Sequence, residues 1–506
     1  MNPFPLEDLE KILPVLTVFA TATVVLVVDL FLRGWTEAPS GDTRNKWSLP
    51  TLSLLGGGLA AWFAYSGWLA NNTGIAFQGA LRVDVFSHTV TGIILLGTLL
   101  TLGTTVGYLR RFDIEDGEFY ALVLYAAGSM MLLAQSNNLI MVFVSLETFS
   151  MAVYILSAFQ RDSQRSVEGA LKYFVLGGVS SAFLLFGLTF IYGASGSIQL
   201  GVIADGIAND TVDVWLLLAG LALSLVGFGF KVGAVPFHSW IPDAYEGAPS
   251  LVAGFMSVTV KTAAFAVLLR FSLVLAAPEA QQYIMDVLWW IAIATMIFGN
   301  LVALVQSSVK RMLAYSAISH TGYLLIGVVA ALKSDDPGRG APILFYLLPY
   351  TLMTFGGFAL LAGLGRESQQ DETFESFRGL SQRRPFLAFV TMIFMVSLAG
   401  IPPTAGFWGK FYLFREAVSV GDWPLAVVGV VTSLASVYYY LRLVVFMYMQ
   451  PIGDKKPPEK AFQLSRGAAI SVTLAAAGIV AVGLLPDGFL SLSEESLKSL
   501  VKTIGP

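Results

Sequence analysis

The stretch Lys231-Val-Gly-Ala-Val-Pro-Phe-His-Ser-Trp-Ile-Pro-Asp243 interrupts a long apolar run of the sequence. Proline removes a backbone donor and clashes with the preceding helical turn, so a helix that crosses this stretch must kink or break near Pro236. At membrane depth, the freed backbone groups are tolerated only inside protein or beside water. The stretch therefore predicts a broken helix in protected surroundings, with the charge of Lys231 directly before the break.

A second stretch of the same kind reads Gly400-Ile-Pro-Pro-Thr-Ala-Gly-Phe-Trp-Gly-Lys410. It predicts a helix break at Pro402 and Pro403, again with a lysine close by. Paired interrupted segments at matching positions are typical of transporters built from inverted repeats. The alternative interpretation is two ordinary proline kinks.

The composition around these stretches is that of a membrane protein. Of 506 residues, 56% are hydrophobic and 13% are charged, about half the charged share of an ordinary soluble domain. This excludes a soluble globular enzyme. A membrane-spanning helix needs about 20 mostly apolar residues. Fourteen runs meet this requirement: 11–32, 50–70, 84–107, 118–134, 136–159, 168–194, 212–236, 248–275, 285–305, 309–331, 341–365, 384–416, 421–447 and 467–487.

The predicted fold class is an all-α polytopic membrane protein with about 14 transmembrane helices. The two breaks fall in spans 7 and 12, which predicts two five-helix repeats, spans 4–8 and 9–13. Consecutive repeats with an odd number of spans must be inverted in the membrane. The predicted segments are 1–117 with three helices, 118–275 and 285–447 for the repeats, and 448–506 with helix 14 and a short tail.

Lysine and arginine in the loops predict the orientation. Odd-numbered loops hold 17 of them, and even-numbered loops and tails hold 7. Because cytoplasmic loops are enriched in these residues, the odd loops are predicted in the cytoplasm and both termini on the outer side. Arg270 and Arg442 lie near span ends, where a long side chain can reach the interface.

Six of the ionisable side chains inside the predicted spans are candidate site residues: Glu147, Lys172, Lys231, Lys261, His320 and Lys410. A charge at the bilayer centre costs about 2.5–3.5 kcal/mol on insertion scales, so such residues mark functional paths by default. A lysine removed from water releases its proton more readily, and a nearby carboxylate opposes that release. The row therefore predicts switchable proton sites. The alternative is that the charges form inert pairs that fix helix packing, and His320 can equally satisfy one backbone carbonyl.

Other kinds of site have weak support. The chain has no cysteine, which excludes a thiolate zinc site or an iron–sulfur cluster within it. His238, Asp243 and Glu246 are possible metal ligands, but carboxylates in a proline-rich loop more often cap helices. No phosphate-binding or dinucleotide-binding glycine motif is present, and the net charge of −4 gives no basic face for nucleic acid.

The longest motif, Phe230-Lys-Val-Gly-Ala-Val-Pro-Phe-His-Ser-Trp-Ile-Pro-Asp-Ala-Tyr-Glu-Gly-Ala-Pro249, resembles the signature of the antiporter-like membrane subunits of respiratory complex I. Its Tyr-Glu-Gly-Ala-Pro ending is similar to the subunit N family, the bacterial counterpart of mitochondrial subunit 2. The stretches 400–412 and 171–174 are also similar to that family. The resemblance covers nearly the whole chain.

The resemblance implies roles for the buried charges. Glu147 resembles the essential span-five glutamate, Lys231 its span-seven partner, and Lys261 the span-eight lysine that links two half-channels. Lys410 resembles the span-twelve lysine on the outlet side. Lys172 and His320 resemble further members of the polar axis.

The resemblance also implies a function. The chain would be a proton-translocating subunit of NADH:quinone oxidoreductase that carries no cofactor itself, while FMN, iron–sulfur clusters and quinone belong to other subunits. Its partners would be the antiporter-like subunit M, the small K and J type subunits, and the lipid of a bacterial plasma membrane. The alternatives are an Mrp-type cation/proton antiporter subunit, another secondary transporter, and a purely structural membrane subunit.

Overall fold

The computed structural model of the chain describes residues 6–34, 48–112, 117–275, 278–334, 336–363, 372–450 and 464–502. The predicted connections at 35–47, 364–371 and 451–463 lie outside these residues. The helices of the first half are α1 Leu6–Lys11, α2 Leu13–Gly34, α3 Ser48–Leu69, α4 Val85–Phe112, α5 Gly117–Gln135, α6 Leu139–Ser157, α7 Gln164–Ser195, α8 Leu200–Ala208, α9 Val214–Val232, α10 Trp240–Gly247, α11 Ser250–Phe255 and α12 Lys261–Val274.

The helices of the second half are α13 Pro278–Leu304, α14 Val309–Lys333, α15 Ala341–Ala362, α16 Leu380–Arg383, α17 Pro385–Ala399, α18 Ala405–Ser419, α19 Trp423–Tyr448, α20 Arg466–Leu484 and α21 Asp487–Lys502. Short 3₁₀ turns occupy Pro337–Gly340 and Phe374–Phe377. A small antiparallel hairpin joins β1 Gly74–Ala76 to β2 Leu81–Val83, with Gly74 opposite Val83.

Twelve helices within the described residues are long and apolar enough to cross a membrane. They coincide with twelve of the fourteen predicted spans. The other two predicted spans are helical as well, as α3 and as the pair α17 and α18. The chain is therefore a multi-pass helical membrane protein, while the count of fourteen spans and the two inverted repeats stay predictions.

Both predicted helix breaks are present and share their local geometry. Gly233 caps the end of α9 and Gly400 caps the end of α17, and each glycine adopts the left-handed conformation, with φ of 78° and 79°. Glycine pays no steric penalty there, which makes it the favoured residue for ending a helix. In each break an X–Pro peptide bond in the cis form follows, at Pro236 and at Pro403. The helical path then resumes as α10 and α18.

The core of the molecule consists of helices that show almost no surface. The span 250–274 is fully buried, and 309–333 and 338–362 are nearly so, whereas the peripheral spans 13–32 and 423–448 are one-third buried. A five-residue π-helical turn, Met256–Val260, separates α11 from α12. Such turns inside α-helices occur frequently at functional sites, and this one ends directly at Lys261.

The tail that follows the last predicted span contains a further helix. Residues 487–502 form the helix α21, which packs along α4 through a hydrogen bond between Thr89 and Ser496 at 2.7 Å. A search for long apolar runs could not detect this helix, because its apolar residues recur on one face only.

Candidate functional site

Lys231 occupies the last turn of α9 and is 3% exposed. Its amine donates hydrogen bonds to Ser150 Oγ at 2.8 Å and to Tyr154 Oη at 3.2 Å, both on α6. Four aromatic rings surround the amine, among them that of Phe149, whose centroid is 5.8 Å away. These hydroxyls and ring faces stabilise an ammonium group without a direct ion pair.

Glu147 lies on α6, three residues before Ser150, and therefore on the same face of that helix. Its carboxylate accepts a hydrogen bond from the Ser181 hydroxyl of α7. Among the described residues, the Lys231 amine bonds to Ser150 and Tyr154 of the same helix and forms no ion pair with Glu147. In place of a direct pair, one face of α6 therefore carries the Glu147 carboxylate and, one turn later, the Ser150 hydroxyl that accepts from Lys231.

Lys261 begins α12, directly after the π-helical turn, and is fully enclosed. Its amine donates to the Ala317 carbonyl and to Thr321 Oγ1 at 2.8 Å, both on α14. The Thr321 hydroxyl in turn donates to the Val232 carbonyl at 2.5 Å. One threonine therefore connects Lys261 to the residue that follows Lys231, at the end of α9.

His320 is the neighbour of Thr321 on α14 and is 1% exposed. Its ring nitrogens contact the hydroxyls of Tyr346 on α15 and Tyr440 on α19, the latter at 3.0 Å. Tyr440 also bonds to Ser316, one turn earlier on α14. His320 thus joins three helices through side-chain hydroxyls rather than through a backbone carbonyl.

Lys410 lies on α18, after the second break, and its amine points back to the end of α17. It donates to the carbonyls of Leu398 at 2.9 Å and Ala399 at 3.3 Å, and to Ser433 Oγ at 3.0 Å. A cation is favoured there, because the last carbonyls of a helix lack intrahelical partners and carry partial negative charge. The Tyr323 ring of α14 lies 5.2 Å from the amine.

Lys172 does not share the buried environment of the other predicted residues. Its side chain is 46% exposed and pairs with Glu168 at 2.8 Å and with Asp243 at 3.0 Å. Asp243 also binds Arg311 at 3.1 Å. The sequence placed Lys172 inside an apolar run, but α7 buries only the face opposite to it. Partial burial raises the pKa of the Asp243 carboxyl, but the hydrogen bonds from Lys172 and Arg311 outweigh this and hold that pKa below its usual range.

Arg270 also differs from its prediction. Instead of reaching toward an interface, its guanidinium pairs with Asp84 at 2.9 Å, and both side chains are 3% exposed. It donates as well to the Ala134 carbonyl at 3.1 Å. Asp84 is the first residue of its apolar run, a position that does not indicate burial in the interior.

The row thus contains the partly buried Glu147 and the buried Lys231, Lys261, His320 and Lys410. Its connecting groups are hydroxyls that the sequence analysis did not single out: Ser150, Tyr154, Ser181, Thr321, Tyr346, Tyr440 and Ser433. Thr321 and Ser316 lie in the stretch Tyr315-Ser-Ala-Ile-Ser-His-Thr-Gly322, where several polar residues interrupt an apolar run, and this was the only signal for them. Hydroxyl and amine groups can both donate and accept protons, so this arrangement has the chemistry that proton transfer needs.

Three comparisons with known proteins bear on this site. A profile of the family described as "NADH:quinone oxidoreductase/Mrp antiporter, TM" matches residues 136–436, which contain the whole row. The chain is 41% identical over 497 residues to NADH-quinone oxidoreductase subunit N of Chloroflexus aggregans, covering 97% of this chain and 98% of that protein.

Solved structures agree. A chain of respiratory complex I from Thermus thermophilus is 34% identical with a TM-score of 0.75, covering 94% of this chain and 98% of that one. A chain of the Mrp complex of a Dietzia species has a TM-score of 0.83 at 20% identity, covering 99% of this chain and 98% of that one. The latter likeness shows the fold alone.

Proposed function

Because the chain belongs to the NADH-quinone oxidoreductase subunit N family and is a proton-translocating membrane subunit of that complex, we propose that its protons travel along the row from Glu147 through Lys231 and Lys261 to Lys410. The observation that carries this route is the Thr321 hydroxyl. It accepts from the Lys261 amine and donates to the backbone carbonyl of Val232, so one hydrogen-bonded link joins Lys261 to the residue after Lys231 and connects α9, α12 and α14.

The row has the chemistry that such a path needs. Its amines bind neutral hydroxyls and carbonyls instead of carboxylates, so no strong ion pair holds their protons in place. Moving a proton against a membrane potential costs about 2.3 kcal/mol per 100 mV. The net gain or loss of one hydrogen bond to a charged group, about 1.5–3 kcal/mol, is of that size. Small rearrangements at the helix breaks therefore suffice to favour or disfavour each protonated state.

The proposal includes the surroundings of the chain. The chain carries no redox cofactor, so electron transfer from NADH to quinone, with FMN and iron–sulfur clusters, takes place in other subunits. The energy that this reaction releases reaches the row through conformational or electrostatic coupling. Its neighbours are the antiporter-like subunit M and the small K and J type subunits, in a bacterial plasma membrane. Odd-numbered loops face the cytoplasm and both termini face outward, as the distribution of basic residues indicates.

Replacing Glu147 by Gln tests the route. The variant keeps the acceptor for Ser181 but removes the charge. We expect the complex to assemble and to transfer electrons from NADH to an artificial acceptor at the normal rate. Proton pumping should fall about tenfold or more, since one hydrogen bond to an ionised group is worth about 1.5–3 kcal/mol. Pumping is measured in inverted membrane vesicles with a pH-sensitive dye.

Glu118→Gln is the matched control, because this carboxylate lies at the start of α5 with half of its side chain exposed. It should leave pumping unchanged. Normal pumping in the Glu147→Gln variant would contradict the proposed route.

A further inference from the structure

The short helix α10 carries Trp240 at the point where the first broken helix resumes. The indole is fully enclosed and stacks on Tyr173 of α7, with ring centroids 4.2 Å apart and planes 8° apart. Its N–H donates to the Phe230 carbonyl at 2.9 Å. Trp240 therefore closes the space between α7 and the end of α9.

This aromatic stack lies directly against the Lys231 amine. The amine is 6.0 Å from the centroid of the Tyr173 ring and 5.4 Å from that of Tyr154, and Tyr154 meets Tyr173 edge-on at 4.6 Å. The side chains of Lys172 and Asp243 are close to the stack in sequence and are 46% and 34% exposed on the isolated chain. The stack thus links a buried amine to charged side chains at the surface of the chain.

Each half of the stack is coupled to one half of an ion pair. Lys172 precedes Tyr173 on α7, and Asp243 follows Trp240 by three residues on α10, within one helical turn. The two charges pair at 3.0 Å. When this pair is formed, the two rings are held face to face.

Further contacts hold α10 in this position. Arg311 of α14 donates to Asp243 at 3.1 Å and to Glu246 at 2.5 Å. The backbones of α7 and α10 also approach closely, since a Cβ added at Gly247 would lie 2.4 Å from the Arg165 carbonyl oxygen. Ion pairs and close backbone packing therefore hold α10 against α7 and α14.

We propose that Trp240 and Tyr173 form a gate between Lys231 and the water on the side of α10, and that Asp243 is the positioning residue that keeps this gate closed through Lys172 and Arg311. Release of Asp243 lets α10 move away from α7 and admits water to the Lys231 amine. The inference rests on the proposed function, because such a gate matters only where Lys231 exchanges protons with water.

The test uses the absence of cysteine from the chain. Ser150→Cys places a thiol at the Lys231 amine, behind the stack. The whole complex in inverted vesicles is treated with a positively charged methanethiosulfonate reagent, and labelling of this chain is followed by its mass. We expect slow labelling with the gate intact. Adding Asp243→Asn should accelerate it about tenfold, as expected when hydrogen bonds between charged groups are lost.

Tyr173 supplies a matched pair of variants. Its hydroxyl has no hydrogen-bond partner among the described residues, so Tyr173→Phe keeps the stack and should leave the labelling rate of Cys at position 150 unchanged. Tyr173→Leu removes the stacked ring and should accelerate labelling about as much as Asp243→Asn. Equal rates for the Phe and Leu variants would overturn the gate.

Two controls separate a gate from general loosening. Ser224 is buried on α9, facing Gly187 of α7 away from the stack, so Ser224→Cys should label equally slowly with or without Asp243→Asn. Glu375→Gln removes an exposed ion pair with Arg378 and should change neither rate. Faster labelling at both cysteines overturns the proposal.

The labelling rate does not depend on proton transport. Unchanged labelling in the Asp243→Asn background would therefore overturn the gate and leave the proposed route intact. The proposed proton route is tested separately, by measuring proton pumping in the Glu147→Gln variant.

Discussion

Thr321 shows how much a single uncharged residue contributes to the row. Its hydroxyl is the acceptor for Lys261 and the donor to the Val232 carbonyl at the same time. No other residue of the described chain joins the ends of α9 and α12 in this way. Threonine has the required chemistry, because a hydroxyl can donate one hydrogen bond and accept others.

Replacing Thr321 by Val keeps the branched shape and removes this link. We expect proton pumping to slow about tenfold, since the hydrogen bond to the Lys261 ammonium is worth about 1.5–3 kcal/mol, while the complex still assembles. Thr321→Ser keeps the hydroxyl and should retain most of the pumping. Equal pumping in the Val and Ser variants would show that the hydroxyl is not part of the route.

Charged residues of the row could be predicted from the sequence, and their uncharged partners could not. A lysine or glutamate inside an apolar run is costly and therefore conspicuous. Serine, threonine and tyrosine in such runs are common and usually satisfy themselves on their own helix, as Thr98 and Thr101 do. The exposure of Lys172 could not be predicted for a different reason, because position within an apolar run does not reveal which face of the helix is buried.

At the scale of elements, the breaks of α9 and α17 orient the lysines next to them. Gly400 caps α17 in the left-handed conformation, and a Cβ added there would lie 3.0 Å from Lys410 Cδ. The last carbonyls of α17, those of Leu398 and Ala399, bind the Lys410 amine. The geometry of the cap and the position of the amine are therefore coupled.

Gly400→Ala should affect both stability and transport. An alanine in the left-handed region costs about 1 kcal/mol or more, and its methyl group would displace the Lys410 side chain. We expect a lower apparent melting temperature of the complex and reduced proton pumping in vesicles.

Two other glycines serve as controls for that variant. Gly421 has the same left-handed conformation, with φ of 77°, and nothing within 4 Å of an added Cβ. Gly421→Ala should lower stability without reducing pumping. Gly58 lies within helix α3 with equally open surroundings, so Gly58→Ala should do neither. Reduced pumping in all three would contradict the coupling at Gly400.

Elements were predictable where their signal was strong. Every predicted apolar run is helical, and both breaks lie where proline and glycine interrupt the runs, because proline cannot continue a helix. The π-helical turn Met256–Val260 could not be predicted, since its residues Met-Ser-Val-Thr-Val are ordinary for an apolar helix and packing decides its geometry. The amphipathic helix α21 was not predicted, because its sequence contains no long apolar run.

At the scale of the whole molecule, one buried ion pair connects three parts of the chain. Arg270 at the end of α12 bonds Asp84 before α4 and the Ala134 carbonyl at the end of α5. Asp84 also accepts from the Ser87 backbone N–H at 2.7 Å and so caps α4. The pair holds together the first three-helix segment and the central helices, at a distance in sequence that no local pattern could indicate.

Arg270→Leu should destabilise the whole chain, because it leaves the Asp84 carboxylate buried without a cation. Breaking a buried pair in this way typically costs about 3–5 kcal/mol, so we expect less intact complex after heating in detergent. Adding Asp84→Asn removes the uncompensated charge while keeping the cap, and the double variant should recover part of the loss. Arg378→Leu, in an exposed pair with Glu375, should change little, as exposed pairs contribute little. If the double variant were less stable than Arg270→Leu alone, the loss would come from packing around the guanidinium rather than from an unpaired charge.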